Sequence, residues 1–84
     1  MDDKWEATLR DRFEELVRAV SPAALGVTDA EDAVQDAFTR AWERISRGHE
    51  IDDLPAWVVT VALNRLRSGW RRRATARRKL RGRP

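Results

Sequence analysis

Residues 54–73 read LPAWVVTVALNRLRSGWRRR, and this stretch predicts a helix with two different faces. Apolar residues recur at steps of three and four, which places them on one helical face: Leu54, Trp57, Val58, Val61 and Ala62. Polar and cationic residues follow the same steps on a second face: Thr60, Asn64, Arg67 and Arg71. The first face would pack on a core, and the second would meet solvent or a polyanion. This layout is typical of a helix that reads nucleic acid.

The start of this helix is also specified. Asp53 can accept a hydrogen bond from a free backbone N–H as the N-cap, and Pro55 is tolerated in a first turn.

Arg65 and Arg72 flank the polar face. Gly69 costs about 1 kcal/mol relative to Ala inside a helix, so a bend or fraying is expected there. From Arg71 onward the chain is so basic that fraying is expected unless an anion binds.

Two further helices are predicted upstream. The first runs from Asp3 to Val20 and is followed by Pro22, with Ser21 capping a short turn that Gly26 closes. Its apolar stripe contains Trp5, Leu9, Phe13, Leu16, Val17 and Val20.

The second upstream helix opens at Thr28, which fits a capping box with Glu31, and ends at Gly48. Small and large apolar residues follow it in an unbroken pattern: Ala30, Ala33, Val34, Ala37, Phe38, Ala41, Trp42 and Ile45. The opposite face carries Asp32, Gln35, Asp36, Thr39 and Glu43. A polar connection follows, in which His49 is expected to be a loop residue.

The fold class follows from length and pattern. Eighty-four residues, 42% of them hydrophobic, suffice for one small core. Strand-like alternation and hairpin turn signals are absent, so we expect an all-α bundle of three to four helices. There are no cysteines for disulfides or thiolate metal sites, and no apolar run is long enough to cross a membrane. These features fit a cytoplasmic protein.

The charge is distributed unevenly. Residues 1–53 contain all fourteen acids and seven bases, a balance of −7, whereas residues 54–84 contain ten bases and no acid. Such a division indicates two partners of opposite character, one of them a polyanion. The alternative interpretation of this charge division is that the basic segment only aids solubility or contacts any anion.

Catalytic chemistry is not indicated. The single histidine has no partner at triad or ligand spacing, and no glycine-rich phosphate loop occurs. The carboxylates are spread over helix caps and faces. We therefore expect a binding protein with no cofactor and no metal.

Two segments together resemble a known family. DAEDAVQDAFTRAWER (29–44), a loop, and LPAWVVTVALNRLRSGWRRR (54–73) are similar to region 2 of bacterial RNA polymerase sigma factors, most of all the extracytoplasmic-function (ECF) class. The positions that match the second motif are Trp57, Val58, Val61, Ala62, Asn64, Arg71 and Arg72.

The resemblance implies a role for each part. A polymerase-binding surface, which docks on the β′ clamp coiled coil, corresponds to Asp32, Gln35 and Asp36, with Thr39 beside them. The loop that takes a base flipped out of the −10 promoter element corresponds to Arg47, Gly48, His49, Glu50, Ile51, Asp52 and Asp53. The −10 DNA, above all its single-stranded non-template strand, would meet Thr60, Asn64, Arg65, Arg67, Arg71, Arg72 and Arg73. A monomer is expected outside the holoenzyme.

The chain also departs from the family pattern. The segment before residue 29 is short, which predicts trimmed or rearranged N-terminal helices. Position 68 is Ser where the family often has Asp. We expect the domain to occupy residues 1–73, with 74–84 as a basic tail or the start of a linker. The usual second domain, which reads the −35 element, does not follow, and this favours an excised domain.

Two alternatives stay open on the sequence. One is a sigma-like interaction module captured by an anti-sigma factor, and the other is a generic basic nucleic-acid binder. The sequence does not indicate which promoters are read.

Overall fold

The computed structural model describes residues 4–81, with the side chains of Trp5 and of residues 76–81 outside that description. The predicted place of Trp5 on an apolar stripe therefore lies outside the described residues, as do 1–3 and 82–84. Four α-helices and one 3-10 turn make up the fold: α1 Lys4–Asp11, α2 Phe13–Val20, the 3-10 turn Ser21–Ala23, α3 Val27–Ser46 and α4 Leu54–Arg81. Residues 4–81 contain no strand, so the all-α prediction is confirmed.

The core lies where α2, α3 and α4 meet. Small side chains dominate the buried face of α3, so neighbouring helices can approach closely. Fully or almost fully buried are Leu9, Leu16, Val17, Val20, Ala30, Ala33, Val34, Ala37, Val58, Ala62 and Leu66. The most extensive contact in the fold joins α3 to α4, and it fixes the orientation of α4.

The single N-terminal helix predicted from Asp3 to Val20 is wrong. The chain leaves helical geometry at Arg12, where φ is −100° and ψ is 6°, and this separates α1 from α2. No Gly or Pro marks the break. On the N-terminal side of the break, Leu9 of α1 is fully buried and lies beside Phe38 and Trp42 of α3.

The predicted caps between α2 and α3 are also wrong. Ser21 does not cap the 3-10 turn, because its hydroxyl donates to the carbonyl of Val17 at 2.7 Å. Helix α3 begins at Val27, one residue earlier than predicted, with Gly26 as its N-cap and no side-chain cap. Gly26 has φ of +143°, which residues with a side chain rarely adopt. The carboxylate of Asp29 then accepts from the backbone N–H of Leu25 at 2.9 Å.

The connection between α3 and α4 follows the predictions. Gly48 has φ of +87° and donates to the carbonyl of Ile45, while the N–H of His49 donates to the carbonyl of Arg44. These two bonds are the Schellman arrangement that ends a helix. Asp53 caps α4, since its Oδ1 accepts from the N–H of Ala56 at 3.2 Å.

Helix α4 is the longest element, with 28 residues. At 1.5 Å per residue it spans about 42 Å, which explains the elongated dimensions of 58 × 26 × 16 Å. The helix is continuous through Gly69 and on to Arg81. The fraying expected at Gly69 and from Arg71 onward is therefore not found in residues 54–81.

Candidate nucleic-acid and protein interfaces

The outward face of α4 carries the polar residues that the periodicity predicted. Thr60, Asn64, Arg67 and Arg71 are all exposed. On the opposite side of the helix Val58 and Ala62 are fully buried and Leu66 almost so. The periodicity therefore placed both faces correctly.

Thr60 and Asn64 differ in what they offer to a ligand. The hydroxyl of Thr60 donates to the carbonyl of Ala56 at 3.0 Å, so its hydrogen is used within the helix and its oxygen remains an acceptor. Asn64 presents an amide with both a donor and an acceptor. It lies at the edge of a cleft between α3 and α4. An amide in this position can pair with the edge of an unstacked base.

Arg65 points towards α3 rather than outward. Its Nη1 donates to the backbone carbonyl of Asp32 at 2.5 Å. This bond ties the helix of the predicted nucleic-acid face to the helix of the predicted protein-binding face. No local pattern indicates a contact between residues 33 positions apart.

Arg73 is also engaged within the fold. Its guanidinium lies 5.4 Å from the ring centroid of Trp70, a cation–π distance. The Nε1 of Trp70 in turn donates to the carbonyl of Ala23 at 2.8 Å. Trp70 thus fastens the second half of α4 to the 3-10 turn. The sequence analysis missed this role of Trp70. A signal was available, because Trp70 lies in a basic stretch and precedes Arg73 by three residues, one helical turn.

The loop of residues 47–53 is held at both ends. The Schellman bonds fix its start and the Asp53 cap fixes its end. Between them, His49, Glu50 and Asp52 are exposed, whereas Ile51 is half-buried. Next to the loop, the guanidinium of Arg44 lies 6.0 Å from the ring centroid of Trp57. The loop therefore connects two rigid helix ends and presents polar side chains.

The acidic face of α3 is present as predicted. Asp32, Gln35 and Thr39 are exposed, and the half-buried Asp36 accepts from Nε of Arg40 at 3.0 Å. The hydroxyl of Thr39 donates to the carbonyl of Gln35 at 3.2 Å.

The far edge of this acidic face is apolar. Thr39 lies in a groove of about 310 Å³ between α1 and α3, where it is a neighbour of the half-exposed Trp42. Glu6 and Arg10 of α1 line the same groove and form an ion pair at 2.9 Å. The sequence pattern assigned Trp42 to the core, but 51% of it is exposed.

Two other kinds of site are not found among the described residues. Among residues 4–81, no group of His, Asp and Glu side chains is placed to hold a metal ion. Within the same residues, no helix is long and apolar enough to cross a membrane.

Comparison with known families identifies the class of protein. The model of sigma-70 region 2 matches residues 9–76, from the buried Leu9 to the basic part of α4. The chain therefore belongs to the sigma-70 region 2 family, whose domains act in promoter recognition and in binding core RNA polymerase. These domains are parts of transcription factors and not enzymes. No curated protein and no solved structure gave a match.

Proposed function

We propose that this chain is the promoter-recognition domain of an ECF-class sigma factor, which recognises the −10 element and helps to melt it. The observation that carries this proposal is the exposed polar and cationic face of α4, opposite its buried face. Such a face offers base-reading and phosphate-binding groups on one rigid element. Because bacterial RNA polymerase works in the cytoplasm, we place the chain there, as a monomer outside the holoenzyme.

Base reading is assigned to Asn64 and phosphate binding to the arginines around it. An amide can form two hydrogen bonds with adenine, and a good bidentate pair discriminates against a wrong base by about 1–3 kcal/mol. Arg67 and Arg71 are exposed on the same face and neutralise phosphates, which makes binding depend on salt. Thr60 contributes an acceptor oxygen. Arg65, Arg72 and Arg73 supply positive charge at the sides of the helix.

The loop of residues 47–53 is proposed to receive a base flipped out of the −10 element. Flipping costs a few kcal/mol of unstacking, which contacts to the extruded base must offset. The fixed loop ends favour this role, because a preorganised loop loses little entropy on binding. Ile51 provides an apolar contact, and His49, Glu50 and Asp52 provide polar groups.

The acidic face of α3 is proposed to dock on the coiled coil of the β′ clamp. Asp32, Gln35, Asp36 and Thr39 lie on one side of α3, whereas the outward residues assigned to the DNA bases lie on α4. Polymerase and DNA can then bind at the same time. Separate faces of opposite charge also account for the division between the acidic and basic halves of the chain.

A charge reversal on α3 tests the polymerase assignment. Asp32→Arg should weaken binding to core polymerase at least tenfold, because it places a cation on the acidic surface. Binding of the isolated chain to single-stranded −10 DNA should not weaken. Glu14→Arg is the matched control, since the Glu14 side chain is 89% exposed on α2 and the charge change is the same. Equal polymerase affinity of the two variants would refute the assignment.

The domain boundary is proposed to lie near Arg73, with residues 74–84 leading into a linker. Helical backbone crosses this point without interruption as far as Arg81. The boundary therefore rests on composition, and limited proteolysis of the chain would test it. Cleavage within 74–84 that leaves a stable fragment supports the boundary, and early cleavage before Arg73 contradicts it.

A further inference from the structure

A polar cleft lies between α3 and α4, beside the outward face of α4. It encloses about 240 Å³. Its six lining residues are Arg40, Val61, Asn64, Arg65, Ser68 and Arg72. The cleft thus combines three guanidinium groups with an amide and a hydroxyl. Among the described residues that line it, none is a carboxylate. Such a set of donors matches the oxygen atoms of a phosphate group.

The contacts that two of these arginines make within the protein leave donors for a ligand. Arg40 uses Nε to bind Asp36, and this pair does not involve its terminal nitrogens. Arg65 uses Nη1 to bind the carbonyl of Asp32. A guanidinium has five N–H donors, so each side chain is held in place while other donors remain. Anchored guanidiniums lose less freedom on binding than mobile ones do.

The two sides of α4 differ in charge. The cleft lies on the side that faces α3. On the other side, and nearer the start of the helix, a groove along residues 53–60 is lined by one arginine, Arg12, and two carboxylates, Glu15 and Asp53, together with apolar and small residues. A DNA strand whose bases meet the outward face of α4 carries its phosphates to one side of the helix. The positive charge of Arg40, Arg65 and Arg72 favours a path of the phosphates along the side that faces α3.

We propose that the cleft formed by Arg40, Arg65, Ser68 and Arg72, with the base-reading Asn64 at its edge, binds one backbone phosphate of the single DNA strand whose bases meet α4. This inference rests on the proposed function and adds two residues to it. Arg40, on α3, becomes a nucleic-acid contact, and Ser68 becomes a hydrogen-bond donor to the same phosphate. Helix α3 then serves polymerase with its acidic face and DNA with its flank.

Single phosphates can be neutralised to test this. The 84-residue chain is titrated with single-stranded −10-type oligonucleotides in which one linkage at a time is a neutral methylphosphonate. With the native chain, at least one replacement should weaken binding about tenfold, the usual effect of losing a hydrogen bond to a charged group. In Arg40→Gln the loss of affinity caused by that same replacement should become smaller, because one of the three guanidiniums that hold the phosphate is gone. The slope of log affinity against log salt should also become shallower by about 0.7, the value for one phosphate of a single strand.

Two further variants keep the result interpretable. Ser68→Asp leaves the Asp36–Arg40 pair intact but places a carboxylate three and four residues from Arg65 and Arg72, where it can pair with both. It should abolish the same sensitivity. Arg18→Gln removes an equal charge from an exposed site on α2 and should behave like the native chain. Thermal melting of each variant checks that the fold is retained.

The outcomes separate this inference from the proposed function. If every methylphosphonate effect persists undiminished in both Arg40→Gln and Ser68→Asp, the cleft is not a phosphate site, and the reading face is unaffected. If one effect shrinks in Arg40→Gln and disappears in Ser68→Asp but the native chain has no preference among sequences, the cleft is supported and base reading is refuted. If the native chain binds no single strand, both are refuted.

Discussion

Replacing Trp70 or Trp42 by Phe, and comparing the stability of the two variants, tests how α4 is held to the rest of the fold. The exposed fractions of the two tryptophans are 50% and 51%, so replacing either one by Phe removes a similar amount of buried surface. Only Trp70 has an indole N–H bonded within the described structure, to the carbonyl of Ala23 at 2.8 Å. Trp70→Phe should therefore lower the free energy of unfolding more than Trp42→Phe does.

The size of the difference follows from the contacts. A hydrogen bond of this kind contributes about 1 kcal/mol net. A cation–π contact with Arg73 contributes about 0.5–1 kcal/mol at an exposed site, less with Phe than with Trp. We expect Trp70→Phe to cost about 1–1.5 kcal/mol more than Trp42→Phe. For a domain of this size that corresponds to a melting temperature lower by roughly 4–12 °C.

Urea denaturation of the two variants and the native chain measures this difference. An unchanged slope with denaturant would show that the same surface is exposed on unfolding. Amide hydrogen exchange adds a local readout, because Trp70→Phe should speed exchange in the second half of α4 more than elsewhere. Equal destabilisation by the two Phe variants would refute the reasoning, since it would mean that the bond to Ala23 contributes nothing.

Three further predictions concern the α3–α4 connection and the basic end. Gly48→Ala should destabilise the fold by about 1–2 kcal/mol, because φ of +87° is costly for a residue with a Cβ; thermal melting measures this, and an unchanged midpoint would contradict it. Asp53→Ala should cost about 1 kcal/mol through loss of the helix cap, whereas Asp52→Ala, at the exposed neighbouring position, should cost less in the same denaturation assay. Deleting residues 74–84 should weaken binding to single-stranded −10 DNA and reduce its salt dependence but keep the sequence preference; abolition of all binding would favour the generic basic binder.

Local periodicity predicted the central part of the fold. The buried and exposed faces of α3 and α4 follow the spacing of apolar residues, and Gly48 and Asp53 end and start those helices as their residue types indicate. These features depend on residues within a few positions of each other. For that reason they can be recognised in the sequence.

The features that were missed depend on distant contacts. Arg65 binds a carbonyl 33 residues away and Trp70 binds one 47 residues away, so no window of sequence contains both partners. The break at Arg12 has no Gly or Pro to mark it. The start of α3 was misplaced because Thr28 and Glu31 fit a capping box, while the conformation of Gly26 decided where the helix begins. The residues of the candidate site also fall into these two groups. Those on the outward face of α4 could be predicted from periodicity. Arg40 and Ser68 could not, because they come together only when α3 and α4 pack.

The central claim is that α4 reads the sequence of the −10 element, and fluorescence anisotropy tests it most directly. The 84-residue chain and its Asn64→Ala variant would be titrated with single-stranded −10-type oligonucleotides that differ at one base, at two salt concentrations. We predict a preference of about tenfold or more in the native chain, which persists at the higher salt and is lost in Asn64→Ala. Uniform binding that collapses with salt, or a preference unchanged in Asn64→Ala, would contradict the account.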